Sequence, residues 1–233
     1  MTFNEIKDAV SQVEQFYFDV NDIFSTYKDD SVVSKLRNGK MKIEAAPEIV
    51  KEVWKGCAIA REMTNGAFDP WAVEGGFDPS GYVKGWAAAK GADMLIAAGC
   101  NKVQINAAGD IALRGGPWKI GVINPDNRSE IIQVFELSDE NIATSGHYEK
   151  GAHITDPHNG LIAIGAKSGT AIGPDGGLAD AFATALMVDG VDAAQWIGNP
   201  ELSGYTFFAI NRHENTAWSF GPIKSANDDL GMR

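Results

Sequence analysis

The spacing of apolar residues predicts helices in the first hundred positions. Thr2 and Glu5 match the Thr-x-x-Glu capping box, and apolar side chains then recur every three or four residues up to Phe24. Two further helices are predicted in the same way, one from Pro47 to the Asn65-Gly66 turn and one over 83–98. The amino-terminal part is therefore expected to be helical.

The period of the pattern changes after residue 100 to that of strands. Four strands are predicted, at 102–106, 111–114, 118–124 and 131–137. Two strand pairs are predicted further on, 153–156 with 161–167 and 205–211 with 216–220. A buried helix over 178–188 and a short one over 191–197 lie between them. Helices followed by hairpins indicate an α+β fold with mostly antiparallel sheets, as a single domain over 1–233 whose tail, 222–233, is loose.

Charge and composition limit the kinds of molecule that the protein is expected to bind. The net charge is −11 with no long basic run, which excludes nucleic acid and anionic membrane surfaces. No apolar run is long enough for a membrane span, and the amino terminus does not resemble a signal peptide, so a cytoplasmic location is expected. Cys57 and Cys100 are expected to be reduced structural residues.

The segment 143–160 carries the densest candidate chemistry. It sets a predicted Ser145-Gly146 turn ahead of His153 and Asp156, and closes with an Asn159-Gly160 turn. His153 is the best acid–base candidate, since histidine titrates near neutral pH. A structural histidine in a strand is the ordinary alternative.

A second candidate site lies in the helix predicted over 178–188. Asp180 and Thr184 are four residues apart, so their oxygens share one helix face and would form part of a Mg²⁺ shell. Gly176 and Gly177 would let a phosphate approach the helix amino terminus. The alternative is that Asp180 is only a favourable first-turn acid.

Three further stretches carry weaker signals. The stretch 78–85 combines Asp78, a tight turn and Lys84 at a helix start, although a helix cap with a surface lysine explains the same pattern. Phe68-Asp69-Pro70 would place a ring and a carboxylate beside a flat ligand, or form an Asx-Pro turn over a buried ring. Asp110 alone is uninformative.

Taken in order, these segments resemble one family. Six stretches match its motifs in sequence and spacing: 23–31, 66–70, 78–85, 106–110, 153–160 and 179–185. The set is similar to that of the FAD:protein FMN transferase (ApbE) family. The resemblance implies an ApbE-like, T-fold-like architecture and Mg²⁺-dependent transfer of FMN from FAD to a threonine or serine of an acceptor protein, with release of AMP.

The resemblance also implies a role for each matching residue. FAD would be contacted by Tyr27, Ala67, Phe68, Asp69, Asp78, Lys84 and Ile154. Mg²⁺ would be held by the Gly81 carbonyl, Asp180 and Thr184. The catalytic pair would be His153, which assists proton transfer from the acceptor hydroxyl, and Asp180.

The sequence departs from the family pattern at four places. Asn159 replaces a threonine, Ala183 stands where some members have a carboxylate, and Ala108 replaces the first glycine of a Gly-Gly-Asp motif. The fourth departure concerns an early strand that contains Met-Gly-Thr in usual members of the family. This sequence starts at the helix that follows that strand.

Two other functions fit the same residues. Water as the acceptor would make the protein a Mg²⁺-dependent FAD pyrophosphatase that yields FMN and AMP. A site without turnover would leave a non-catalytic FAD-binding protein. No acceptor motif of the form D-x-x-(S/T)-(G/S)-A-T is evident in the chain, so a separate acceptor protein is expected rather than self-modification.

Overall fold

The computed structural model describes residues 1–146, 154–212 and 216–222. The α-helices are α1 (Phe3–Phe24), α2 (Val32–Arg37), α3 (Glu48–Met63), α4 (Ser80–Ala97), α5 (Gly176–Asp189) and α6 (Ala194–Ile197). Short 3-10 turns occur at Ile43–Ala45, Gly190–Ala193 and Pro200–Leu202. None of the helices in these ranges is long and apolar enough to cross a membrane.

The strands form two antiparallel sheets. They are β1 (Val103–Ala107), β2 (Asp110–Arg114), β3 (Trp118–Asn124), β4 (Asn127–Leu137), β5 (Asn141–Gly146), β6 (Ala166–Gly173), β7 (Thr206–Asn211) and β8 (Ala217–Phe220). Six strands make one sheet in the order β1-β2-β5-β6-β7-β8, and β3 and β4 pair as a separate ribbon. The α+β class with mostly antiparallel sheet is confirmed.

The alternation of side chains along the central strands divides the molecule into three layers. Ala143 and Ala171 point into the main core with the helices, whereas their neighbours Ile142 and Ile172 join a second core. That second core also holds Ile120, Val122, Phe135 and Leu137 of the ribbon. The large sheet therefore lies between a helical layer and the β3–β4 ribbon, because successive side chains of a strand face opposite sides.

Capping residues in the sequence explain where helices α1 and α5 begin. At α1 the predicted capping box is present: Thr2 Oγ1 accepts from the Glu5 amide at 3.3 Å, and the Glu5 carboxylate accepts from the Thr2 amide at 2.6 Å. At α5 the Asp175 carboxylate accepts from the Leu178 amide at 2.9 Å. Each cap satisfies amides that have no partner inside the helix.

Helices α4 and α5 meet backbone to backbone. A Cβ on Gly176 would overlap the carbonyl of Gly85, and one on Gly177 would overlap the ring of Tyr82. The expectation that these two glycines admit a phosphate is therefore wrong. They are small because two helices pack there, and neither lines the site described below.

Other expectations fail where strands are rich in small residues. Ser145-Gly146 is not a turn but the end of β5, and 161–167 is not a strand, since only a single bridge joins Thr155 to Ile162. The strand nearby is β6, whose Gly, Ser, Thr and Ala residues carry little strand signal. Helix α2 was not predicted because it is only six residues long. The predicted loose tail lies outside the described residues apart from Pro222.

Candidate active site

A cavity of about 260 Å³ opens where the first turn of α4, the middle of α5 and the end of β5 converge. Its described lining is Ala67, Phe68, Asp69, Pro70, Val73, Asp78, Ser80, Gly81, Lys84, Ala108, Thr144, Ser145, Gly146, Ile154, Thr155, Pro157, Asp180 and Thr184. The wall combines an aromatic ring, a lysine, carboxylates and hydroxyls. Such a mixture of apolar surface and a few convergent polar groups is typical of a ligand site.

Lys84 connects the two helices to the sheet through an ion-pair network. Its ammonium contacts the Asp110 carboxylate of β2 and lies 3.2 Å from Oδ2 of Asp180 on α5. Burial alone lowers the pKa of Lys84, but the charges of Asp180 and Asp110 outweigh it and hold that pKa above its usual value. The lysine therefore remains a cation at the edge of the cavity at all physiological pH values.

The carboxylate of Asp180 is almost completely buried, with 2% of its side chain exposed. Besides Lys84, it accepts from the Gly85 amide at 3.3 Å. A buried charge is tolerated only when it is paired, and here an ammonium and a backbone amide supply the partners. The carboxylate of Asp180 thus lies at the floor of the site with an ammonium and an amide as its hydrogen-bond donors.

A small group of oxygens lies next to this carboxylate. Thr184 is one helical turn beyond Asp180, and its hydroxyl lies 3.4 Å from the Ser145 hydroxyl. Gly81 departs from helical geometry (φ −86°, ψ 20°), and a Cβ there would come within 3.2 Å of the Thr184 hydroxyl and of the Phe68 ring. Glycine therefore leaves open a space that any other residue would fill.

Asp180 and Thr184 offer a carboxylate and a hydroxyl, the hard oxygens that Mg²⁺ prefers, while a ligand role for the Gly81 carbonyl stays a prediction. Within the described ranges no three His, Cys, Asp or Glu side chains are grouped as a metal cluster. A cation held here would consequently complete its shell with ligand phosphates or water rather than with more protein carboxylates.

The cavity entrance is shaped by two Asx turns. Asp69 accepts from the Trp71 amide at 2.9 Å and pairs with Arg61 at 2.6 Å, while Phe68 is buried. Asp78 accepts from the Ser80 amide at 3.0 Å at the start of α4. The two aspartates therefore fulfil the turn and cap roles given above as alternatives, and both also line the cavity.

Most residues singled out in the sequence meet in this cavity. They are Ala67, Phe68, Asp69, Asp78, Gly81, Lys84, Ile154, Asp180 and Thr184. Tyr27 is not among them: it is 97% exposed and lies away from the lining, so its contact with a ligand stays a prediction. His153 lies outside the described residues, although its neighbours Ile154 and Thr155 line the cavity.

Two lining residues carried no site signal of their own in the sequence. Thr144 and Ser145 reach the site because β5 ends there, where the sequence predicted a Ser145-Gly146 turn.

Asp110 lies outside the cavity lining but pairs with Lys84, a contact that depends on the packing of β2 against α4. The sequence indicated only that Asp110 could hold a loop or a ligand.

Solved structures with the same fold are known. The chain superposes on the ApbE protein from Thermotoga maritima with a TM-score of 0.79 at 23% identity, covering 97% of this chain and 92% of that one. The flavin transferase ApbE from Vibrio cholerae gives 0.78 at 22% identity, covering 92% and 88%. At this identity the likeness establishes the fold alone.

Comparisons at the sequence level add the family. FAD:protein FMN transferases from Rhodobacter capsulatus (28% identical over 190 residues) and Vibrio cholerae (34% over 129 residues) match 76% and 48% of this chain. Those matches cover only 34% and 38% of the length of these two relatives. The model of the ApbE family matches residues 72–206, which is more than half of the chain and runs from the loop before α4 to the first residue of β7. The chain therefore belongs to the ApbE family.

Proposed function

We propose that the protein transfers FMN from FAD to a threonine or serine hydroxyl of another protein and releases AMP. The observation that carries the proposal is the meeting of Lys84, Asp180, Thr184 and Gly81 in one cavity, beside the buried ring of Phe68. The names of the two curated relatives support the same activity. The cavity offers a cation for phosphate oxygens and apolar surface for a flat ring system.

The charges around Lys84 support a requirement for a divalent cation. Among the described lining carboxylates, Asp69 pairs with Arg61 and Asp78 lies 3.8 Å from Arg37, whereas Asp180 shares the Lys84 ammonium with Asp110. A pyrophosphate placed beside Asp180 would therefore gain from a further positive charge. Mg²⁺ fits the oxygen donors of Gly81, Asp180 and Thr184, and when bound it supplies charge neutralisation of the pyrophosphate.

The reaction follows from that placement. The acceptor hydroxyl oxygen forms a bond to the phosphorus of the FMN half, and the bridging P–O bond to the AMP half breaks, so that AMP leaves with the bridging oxygen. We assign the hydroxyl proton to His153, beside Ile154 of the cavity wall. Lys84 would neutralise phosphate oxygens, and Asp180 would be a ligand of the cation.

The acceptor is proposed to be a separate protein. The chain shows no acceptor motif of its own, and its cavity is lined in part by residues of the 67–73 loop and the 154–157 segment. A mass increase of one FMN on the purified protein incubated with FAD would contradict this part of the proposal.

The test is AMP release from FAD, with Mg²⁺ or with EDTA, in the presence of a flavodomain that bears the motif D-x-x-(S/T)-(G/S)-A-T. Mg²⁺-dependent AMP with one FMN added to the flavodomain is expected. AMP with only free FMN would identify a pyrophosphatase instead. FAD binding without any AMP would identify a non-catalytic flavin-binding protein.

A further inference from the structure

Asp110 stands outside the cavity lining but contacts the lysine that lines it. The residue begins β2, directly after the turn formed by Ala108 and Gly109, both of which have positive φ. Its side chain is only 3% exposed, and its carboxylate contacts the Lys84 ammonium. Strand β2 thus supplies a second buried carboxylate to the Lys84 ammonium, which also pairs with Asp180.

This arrangement differs from an ordinary ion pair between the same two elements. Arg114 of β2 also pairs with a residue of α4, Asp93, at 2.7 Å, but Asp93 is 59% exposed and neither residue lies at the cavity. Around Lys84, one ammonium is shared by two buried carboxylates. A single Lys–Asp pair at Asp180 would leave the whole ammonium to that one carboxylate.

We propose that Asp110 is a positioning residue: it shares the Lys84 ammonium, so that Asp180 is never the sole partner of that ammonium and stays available to a hard cation. This inference rests on the proposed function, which assigns the cation to Asp180. Without Asp110, Lys84 would pair with Asp180 alone and compete with the cation for the same oxygens. With it, the lysine remains at the cavity edge while Asp180 binds.

The experiment measures the binding of Mn²⁺ alone, from loss of the free-ion EPR signal, because Mn²⁺ shares the oxygen preference of Mg²⁺. Asp110→Asn is expected to raise the Kd for Mn²⁺ about tenfold in the wild-type background, and less than about threefold in the Lys84→Met background, where no ammonium competes. Asp110→Glu, which keeps the carboxylate, is expected to stay within about threefold of wild type.

Asp93→Asn is the matched control, since it removes an acid that joins the same strand and helix without touching Lys84. It is expected to leave Mn²⁺ binding unchanged. Equal losses from Asp110→Asn in both backgrounds would show that Asp110 acts through its own charge, and would overturn the proposal. So would an unchanged Kd in the wild-type background, or no Mn²⁺ binding by the wild type.

Folding of each variant is checked by circular dichroism. If Lys84→Met alone does not fold, the double variant Lys84→Met/Asp110→Asn replaces it, since it removes both opposite charges. The double variant is expected to bind Mn²⁺ more tightly than Asp110→Asn, and binding no tighter would overturn the proposal. Mn²⁺ binding needs neither FAD nor acceptor, so a wild type that releases no AMP would contradict the proposed function and leave this result standing.

Discussion

Asp180 receives hydrogen bonds from two neighbouring residues of α4. The Lys84 ammonium and the Gly85 amide both donate to its buried carboxylate. The residue was selected in the sequence only by its four-residue spacing from Thr184, a spacing that many helices contain. What the sequence lacks is the partner set, because Lys84 lies 96 positions away and its approach depends on how α4 crosses α5.

Replacement of Asp180 tests its role under the proposed function. Asp180→Asn keeps the shape and the bond from Gly85, but removes the charge that would hold a cation. AMP release is expected to fall by about 100-fold or more, measured by chromatography of the products. The exposed Asp192 is the control, because Asp192→Asn removes an acid just beyond the same helix and is expected to leave turnover unchanged. Unchanged turnover in a folded Asp180→Asn variant would remove Asp180 from the cation site.

At the scale of elements, the crossing of α4 and α5 sets the site. Gly85 and Gly176 touch through their backbones, which brings Lys84 and Asp180 within bonding distance. The sequence predicted both helices, but not that they meet at glycines, since an apolar run identifies a buried helix and not its partner. The predicted role of Gly176 and Gly177, the close approach of a phosphate, is the wrong physical reason for their small size.

Gly176→Ala is expected to destabilise the protein by about 3 kcal/mol, because its methyl group would overlap a backbone carbonyl that cannot rotate away. The control is Gly198→Ala. Gly198 has a helical φ of −78° and no atom within 4 Å of an added Cβ, so a change within about 0.5 kcal/mol is expected. The free energy of unfolding in urea measures both. A Gly176→Ala protein as stable as wild type would mean that the helices separate readily.

The contact of α1 with α4 predicts a pH effect. The Tyr17 hydroxyl sits against Gly91 and has no hydrogen-bond partner among the described residues, and burial raises the pKa of Tyr17 to about 12 from 10.0. Between these values the unfolded chain releases the proton while the folded chain retains it. The contribution of Tyr17 to the free energy of unfolding is therefore complete below pH 10 and is lost as the pH rises toward 12.

Tyr17→Phe removes both the unpartnered hydroxyl and its titration. The variant is expected to equal or exceed wild-type stability at neutral pH, by up to about 1 kcal/mol. Its stability is also expected to decline less between neutral pH and the alkaline range. Urea midpoints at several pH values provide the measurement, and an equally steep alkaline decline in both proteins would show that Tyr17 does not contribute to it.

The charge of the whole molecule acts against an anionic ligand. A net charge of −11 and the two carboxylates that share Lys84 both disfavour FAD unless a cation is present. Under the proposed function, EDTA is expected to weaken FAD binding about tenfold or more relative to Mg²⁺, as measured by flavin fluorescence. NaCl added with EDTA is expected to restore little of that affinity, because screening acts on distant charges and not on the contacts at Asp180. Identical affinities in EDTA and Mg²⁺ would contradict the cation site.

The extent of prediction also differs with scale. The helices α1 and α3 follow from apolar periodicity, and α4 and α5 follow from runs of alanine and other apolar residues, since α5 is buried on nearly all sides. The strands β1 to β4 follow from the strand pattern that begins after residue 100. The strands β5 and β6 do not, since their small residues carry weak propensity and their pairing is decided by neighbours in the sheet. The cavity residues were found through their resemblance to family motifs. Asp110 also belongs to one of those motifs, but its contact with Lys84 was not predicted, because a motif does not show which lysine a carboxylate meets.

The separation of Lys84 from Asp180 has a consequence for synthesis of the protein. The helices and strands up to β4 leave the ribosome well before α5, so the lysine spends part of its existence without one of its two carboxylates. Closing so long a loop is slow in folding, because entropy is lost before the contact forms. A nascent chain halted before residue 176 would carry Lys84 and Asp110 but no floor to the cavity, so under the proposed function the cation site would form only after α5 has been synthesised.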